Sequence, residues 1–164
     1  MGRWRPPAAK SSPYITPDGM AALEQELKDI WLRRRDVVKA LAAAAAEGDR
    51  SENAEYHYRK KELAGLDRRI RYLQKRIPDL TVVSKAPDSQ AVFFGAWVEL
   101  EKDSDGSIVE YRIVGADEAK PSEQLISMDS PLAKALLKKS IDDVVTINLG
   151  DNKETYYVTG IRYS

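Results

Sequence analysis

The sequence predicts an α+β protein: an N-terminal antiparallel coiled-coil helical hairpin followed by a small antiparallel sheet domain with one helix. Three observations carry this. Apolar residues recur in steps of three and four on both sides of Gly48. After Pro78 that spacing gives way to alternation with a period of two, which marks strands rather than helices. Short strand-like runs are then separated by turn signals such as Asp105-Gly106 and Gly150-Asp151-Asn152,.

Residues 1–13 hold Arg3, Arg5, Pro6, Pro7, Ser11, Ser12 and Pro13 without periodicity, and a disordered basic leader is expected there. The hairpin is expected over 14–80. Thr16-Pro17-Asp18 opens its first helix, because a threonine hydroxyl can cap and proline suits the first helical position, where no donor is needed. Met20, Leu23, Leu27, Ile30, Arg34, Val37, Leu41 and Ala44 form a heptad seam in a segment rich in strong helix formers. The alanine run from Ala42 to Ala46 gives this arm a thin end. Gly48-Asp49 breaks the pattern. Tyr56, Arg59, Leu63, Leu66, Ile70, Leu73 and Ile77 make a second seam, which stops at Pro78. Two such seams joined by a very short turn fold back on each other, with arms of about 28 residues and about 40 Å. Arg34 and Arg59 interrupt the seams, where polar residues can set register.

The sheet domain is expected over 81–164. Val92-Phe93-Phe94 and Ala96 to Leu100 read as a strand pair or one long bent strand with Gly95 at a bulge. Ile108 to Val114 and Gln124 to Met128 read as further strands. Ser130 caps and Pro131 opens a short helix over Leu132 to Lys139. Val144 to Leu149 and Thr155 to Tyr163 make a last hairpin.

Composition narrows the function classes. The chain has 164 residues, 26 Lys or Arg against 26 Asp or Glu, no cysteine and one histidine, His57. Disulfide scaffolds, thiol catalysis, zinc-thiolate sites and multi-histidine metal sites are therefore excluded. No apolar run approaches the roughly 20 residues that a membrane span needs, and no secretory signal is visible; a soluble cytoplasmic protein is expected. The charge balance is uneven along the chain. Residues 1–80 carry 17 basic and 12 acidic side chains, and residues 81–164 carry 9 and 14, so the first half is the better suited to a polyanion.

The candidate chemistry lies at the hairpin turn, Glu47-Gly48-Asp49-Arg50-Ser51-Glu52-Asn53-Ala54-Glu55-Tyr56. Two readings are open. In one, Asp49 or Ser51 caps the second helix and Glu52 completes a capping box. In the other, Asp49 and Glu52 are two carboxylates aimed at one spot. Mg²⁺ takes one or two carboxylates together with waters and substrate phosphates, so such a tip completes a metal site presented by another macromolecule. On the second arm Lys61, Arg68 and Lys75 recur every seven residues, as do Arg69 and Arg76, with Arg50, Arg59, Lys60 and Arg71 nearby. They form either a solvated flank pairing with Glu24, Glu26 or Asp29, or a stripe that follows a phosphate backbone or an acidic channel wall.

These residues carry a resemblance. The stretch Gly48 to Tyr56, with Tyr58 and Lys60-Lys61, is similar to the tip motif of the bacterial Gre transcript-cleavage factors. Asp67 to Leu73, Val92 to Val98 and Ser127 to Leu137 resemble the GreB branch of that family. The match runs from about Tyr14 to the C-terminus. The resemblance implies an FK506-binding-protein-like (FKBP-like) C-terminal domain that docks on RNA polymerase while the coiled coil enters the secondary channel. It implies that Asp49 and Glu52 help to hold a second Mg²⁺, shared with the polymerase and not bound stably by this chain alone. The polymerase then hydrolyses backtracked nascent RNA, so the chain is a transcription elongation factor that activates an enzyme rather than an enzyme itself. Arg59, Lys60, Lys61 and Arg68 are implied as RNA contacts, and a monomer is expected. The alternatives are a channel-binding regulator of the same fold that modulates polymerase without cleavage, a stand-alone prolyl isomerase, and a plain nucleic-acid-binding coiled coil.

Overall fold

Apolar residues at helical spacing produce two helices, and period-two alternation produces a curled sheet. A computed structural model describes residues 10–47 and 52–163. The chain divides into two compact units. One spans Met20–Leu80, and the other joins the residues up to Gly19 with those from Thr81 onward.

In the helical unit, α1 (Pro17–Ala45) and α2 (Ala54–Arg76) bury the two seams read from the sequence. Leu23, Val37 and Ala44 are buried on α1, and Ile70 and Leu73 on α2. The arms run antiparallel, as their ion pairs show: Arg33 meets Glu62 at 2.9 Å, Arg69 meets Glu26 at 2.8 Å, and Arg34 Nε meets Asp67 at 2.6 Å. Arg34 therefore leaves the apolar seam with a partner on the facing helix, which fixes the register. Exposed pairs of this kind contribute about 0–1 kcal/mol each, so the seam supplies most of the stability. A short 3₁₀ turn, Ile77–Asp79, follows α2.

The other unit begins before α1. Two-residue strands β1 (Tyr14–Ile15) and β2 (Thr81–Val82) pair in parallel. Tyr14 to Gly19 thus pack with the sheet, not within the hairpin segment where the sequence reading placed them. Residues 1–9 of the expected leader lie outside the described residues, whereas Ser12 donates its backbone N–H to Asp129 at 2.9 Å. Thr16 caps α1 as expected, its hydroxyl accepting from Gly19 N at 3.1 Å. That hydroxyl in turn donates to Glu118, whose carboxylate also accepts from the backbone N–H of Thr16 at 3.0 Å and of Gly115 at 2.8 Å. Neither Gly19 nor Gly115 has room for a Cβ: the first would meet the Glu118 carboxylate, the second the Tyr14 carbonyl oxygen.

The main sheet contains β3 (Trp97–Lys102), β4 (Ile108–Val114), β5 (Leu125–Ser127), β6 (Val144–Leu149) and β7 (Asn152–Arg162), in the order β5-β4-β3-β7-β6. It is antiparallel except at one edge, where β4 and β5 run parallel; the all-antiparallel expectation fails there because a connection of ten residues, including a 3₁₀ turn at Pro121–Glu123, carries the chain back to the same end. One face packs on α3 (Pro131–Leu136) through Val98, Leu100, Ile113, Leu136, Val145 and Val158. Ser130 caps α3, accepting from Ala133 N at 3.3 Å, and the helix stops at Leu136, short of Lys139, with Lys138 at φ 71°.

Residues 92–96 do not form the expected strand. Val92 exchanges backbone hydrogen bonds with Lys138 and Lys139, and Tyr163 Oη accepts from Phe93 N at 3.1 Å and donates to Ala91 O at 2.6 Å. Gly95 sits in a turn at φ 87°. The bulge lies further on, where Glu99 and Leu100 of β3 pair with Gly160 and Val158 of β7.

Candidate functional site at the hairpin turn

Asn53 decides how the two helices meet at the turn. Its Oδ1 accepts from Tyr56 N at 3.0 Å and caps α2, while its Nδ2 donates to Ala44 O at 2.7 Å. One amide side chain thus satisfies an orphan donor of α2 and a terminal carbonyl of α1. Ala44 itself is 3% exposed. The capping reading had named Asp49 or Ser51 with Glu52. The cap is Asn53, and Glu52 lies just before it, outside any capping box.

Glu52 is exposed. Among the described residues, no hydrogen bond or ion pair engages its carboxylate. It stands next to the N-terminus of α2, where the helix dipole favours negative charge. Asp49, the other half of the expected pair, lies outside the described residues, as do Gly48, Arg50 and Ser51. Among the described residues no group of three or more His, Cys, Asp or Glu side chains stands together to hold a metal.

The basic residues of α2 separate into two sets. Arg59 donates to Glu55 at 2.8 Å and to Glu62 at 2.9 Å, and its guanidinium lies 5.4 Å from the Tyr58 ring centre. The hydrogen bond to Glu55, then that to Glu62, raises the Arg59 pKa above its ordinary value. Glu62 is lowered, first by its hydrogen bond to Arg33 and then by Arg59. Arg59 is thus built into an ionic chain, and Arg69 is held by Glu26. Lys60, Lys61 and Arg68 are exposed and form no ion pair among the described residues.

Both halves of the chain match family models. The N-terminal transcription elongation factor model covers residues 13–82, and the GreA/GreB C-terminal transcription elongation factor model covers residues 86–163. The chain belongs to the GreA/GreB transcription elongation factor family. It is 58% identical to transcription elongation factor GreB of Xanthomonas axonopodis pv. citri (strain 306), with 100% of this chain and 99% of that one covered. It is 48% identical to transcription elongation factor GreB of Pseudomonas aeruginosa, with 99% and 98% covered. A solved structure entitled "Structure of the transcription factor Gfh1" aligns at 24% identity and TM-score 0.45, over 94% of this chain and 99% of that one.

The Gre-family hairpin therefore presents the exposed Glu52 carboxylate directly before a helix start capped by Asn53. Sequence reasoning passed over Asn53, although an asparagine directly before the first periodic residue of a helix is itself a cap signal. Asn53→Ala removes both bonds, and we expect it to cost about 2 kcal/mol of hairpin stability. Asn53→Asp keeps the cap but turns an acceptor-only carboxylate oxygen toward Ala44 O where the donor stood, so it should recover the capping part of the loss and not the bond to α1. Thermal unfolding followed by helical circular dichroism measures both; equal stability of Asn53→Ala and the parent would contradict the stitching role.

Proposed function

We propose that this Gre factor acts with bacterial RNA polymerase as a monomer in the cytoplasm, its hairpin entering the secondary channel to stimulate the polymerase's own endonucleolytic cleavage of backtracked RNA. The observation that carries the reading is Glu52: an exposed, unengaged carboxylate held next to a capped helix start, in a chain of this family. With Asp49 it would offer two carboxylates, which suits a Mg²⁺ whose other ligands are polymerase side chains, RNA phosphate and water. The cation, when bound, stabilises the attacking and leaving oxygens of phosphodiester hydrolysis. The role of Glu52 is to raise occupancy of that second metal position, and the role of Asn53 is to hold the backbone from which Glu52 projects.

Lys60, Lys61 and Arg68 take the RNA-contact role, since their charges are uncommitted. Arg59 supports the site from within the ion pairs to Glu55 and Glu62. Lys60→Ala/Lys61→Ala is therefore expected to weaken cross-linking of extruded RNA to this chain and to reduce the salt slope of binding to a backtracked complex by about 0.7 per lost phosphate contact. Arg59→Ala should instead lower hairpin stability and leave that slope unchanged. Equal slopes for all three proteins would remove the lysines from the RNA path.

The test of the whole reading is cleavage of a stalled, 3′-labelled transcript by polymerase with and without this protein, across a range of Mg²⁺. Faster cleavage with release of short 3′ fragments is expected. Binding without faster cleavage would favour a channel-binding regulator instead.

A further inference from the structure

The two flanks of the hairpin differ in charge. Helical spacing of about 100° per residue puts Glu26 and Arg33 on one side of the α1 seam, and Trp31, Arg35 and Val38 on the other. On α2 it puts Glu62 and Arg69 on one side, and Lys60, Asp67 and Arg71 on the other. The ion pairs show which sides meet. Arg33 with Glu62 and Arg69 with Glu26 close the first flank, while Arg34 with Asp67 closes toward the second. The first flank is internally neutralised, since Glu26 and Glu62 each lie on an arginine. The second keeps an excess of positive charge. Its Asp67 is held by Arg34, whereas Arg35, Lys60 and Arg71 are exposed and form no ion pair among the described residues. Glu24, the other acidic side chain on this side of α1, lies two turns beyond Trp31, with Lys28 between.

Trp31 stands among these cations. It is 46% exposed, and the Arg34 guanidinium lies 5.9 Å from its ring centre. That guanidinium is itself fixed by the facing helix, Nε to Asp67 Oδ1 at 2.6 Å. The indole is thus backed by a cation that a cross-arm bond holds in place, on a helix rather than a loop. An exposed aromatic ring among uncommitted cations is the pairing that single-stranded nucleic acid uses: bases stack on the ring while phosphates follow the charge. A protein wall would have to bring acidic groups for the cations and an apolar hollow for the ring. A strand of RNA carries a phosphate and a flat base in every nucleotide.

We propose that Trp31 is a base-stacking contact for extruded RNA, extending onto the first arm the path on which Lys60 lies. The inference rests on the reading that the hairpin enters RNA polymerase with its turn at the reacting bond. Lys60 is six residues from the start of α2 and Trp31 fourteen from the end of α1, about 9 Å and about 21 Å along the helices. RNA leaving the turn therefore passes Lys60 first. It reaches Trp31 only after about six nucleotides, at about 3.4 Å for each stacked one. Trp31 thus serves deep backtracking and is idle in shallow backtracking.

The experiment measures the half-saturating concentration of full-length protein for transcript cleavage in complexes backtracked by about two and by about ten nucleotides, on either side of that reach. Affinity for core polymerase without nucleic acid is measured beside it. Trp31→Ala is expected to raise the half-saturating concentration about tenfold in deep complexes, the loss of one base stack. It should match the parent in shallow complexes and on core polymerase. Each variant is read against itself in shallow complexes, so a change in hairpin stability does not imitate this result. Trp31→Tyr, which keeps a π face, should restore most of the effect, and Trp31→Leu, which keeps only apolar area, should not. Parent behaviour of Trp31→Ala in deep complexes overturns the inference and leaves the polymerase reading intact. Equal weakening in deep complexes, in shallow ones and on core polymerase assigns Trp31 to the channel wall and overturns the RNA contact. Full restoration by Trp31→Leu overturns stacking. Failure of the parent protein to speed cleavage in either complex overturns the polymerase reading, and the inference falls with it.

Discussion

Glu52→Ala is expected to bind RNA polymerase like the parent protein and to lose stimulation of cleavage by about a hundredfold or more, the effect of removing one preorganised charge from a phosphoryl-transfer site. The reasons are local. Glu52 makes no hydrogen bond or ion pair among the described residues, and the cap of α2 belongs to Asn53, so the substitution leaves the fold intact. Glu52→Gln keeps the side-chain shape and should lose nearly as much, because an amide oxygen is a poor substitute for a carboxylate on a divalent cation. Asp49→Ala should behave in the same way. The double variant should be little worse than either single one, since ligands of one metal act as a unit. The measurement is the initial rate of transcript shortening in a backtracked complex, with affinity measured separately. Normal stimulation by both single variants would remove the metal-donor role.

Glu118→Ala should produce the largest loss of stability. Its carboxylate accepts from two backbone N–H groups, those of Thr16 and Gly115, and from the Thr16 hydroxyl. Thr16 is 3% exposed, so the truncation leaves donors with no route to water. Each unsatisfied buried donor costs about 1–3 kcal/mol. A total of about 3 kcal/mol allows for overlap between them, and in a unit of this size it lowers Tm by about 15 °C. Thr16→Val, of similar volume, loses the cap to Gly19 N as well as the bond to Glu118 and should cost about 2 kcal/mol. Differential scanning calorimetry of the full chain reads both. A Glu118→Ala protein that melts with the parent would show that the three bonds contribute nothing net.

The contrast between Asn53 and Leu73 shows which parts of this structure are legible in sequence. Leu73 is fully buried and was placed in the seam by spacing alone, because apolar periodicity is local and repeated. The cap at Asn53 depended on choosing among Asp49, Ser51 and Asn53, all good capping residues, and only the approach of Ala44 separates them. Val92 and Phe93 have strand composition but spend their backbone groups on Lys138, Lys139 and Tyr163. Those partners are more than 40 residues away, and no local pattern reports them. The β1–β2 pair escaped for a similar reason, being two residues long and joining Tyr14 to Thr81. At the hairpin turn, residue type singles out Glu52, Lys60 and Lys61 as candidates. The commitment of Arg59 to Glu55 and Glu62 depended on side-chain geometry that its place in the seam did not reveal.

The way the turn is closed has an evolutionary consequence. Among the described residues, the bonds that tie the helix ends run from the Asn53 side chain to Ala44 O and from Tyr56 N to Asn53, and Glu52 has no part in them. Asn53 and Ala44 on one side and Glu52 on the other are therefore separate letters of the gene. A substitution at Glu52 can change the exposed group while inheritance preserves the mount, so descendants of one ancestral hairpin can diverge at that position without first having to refold.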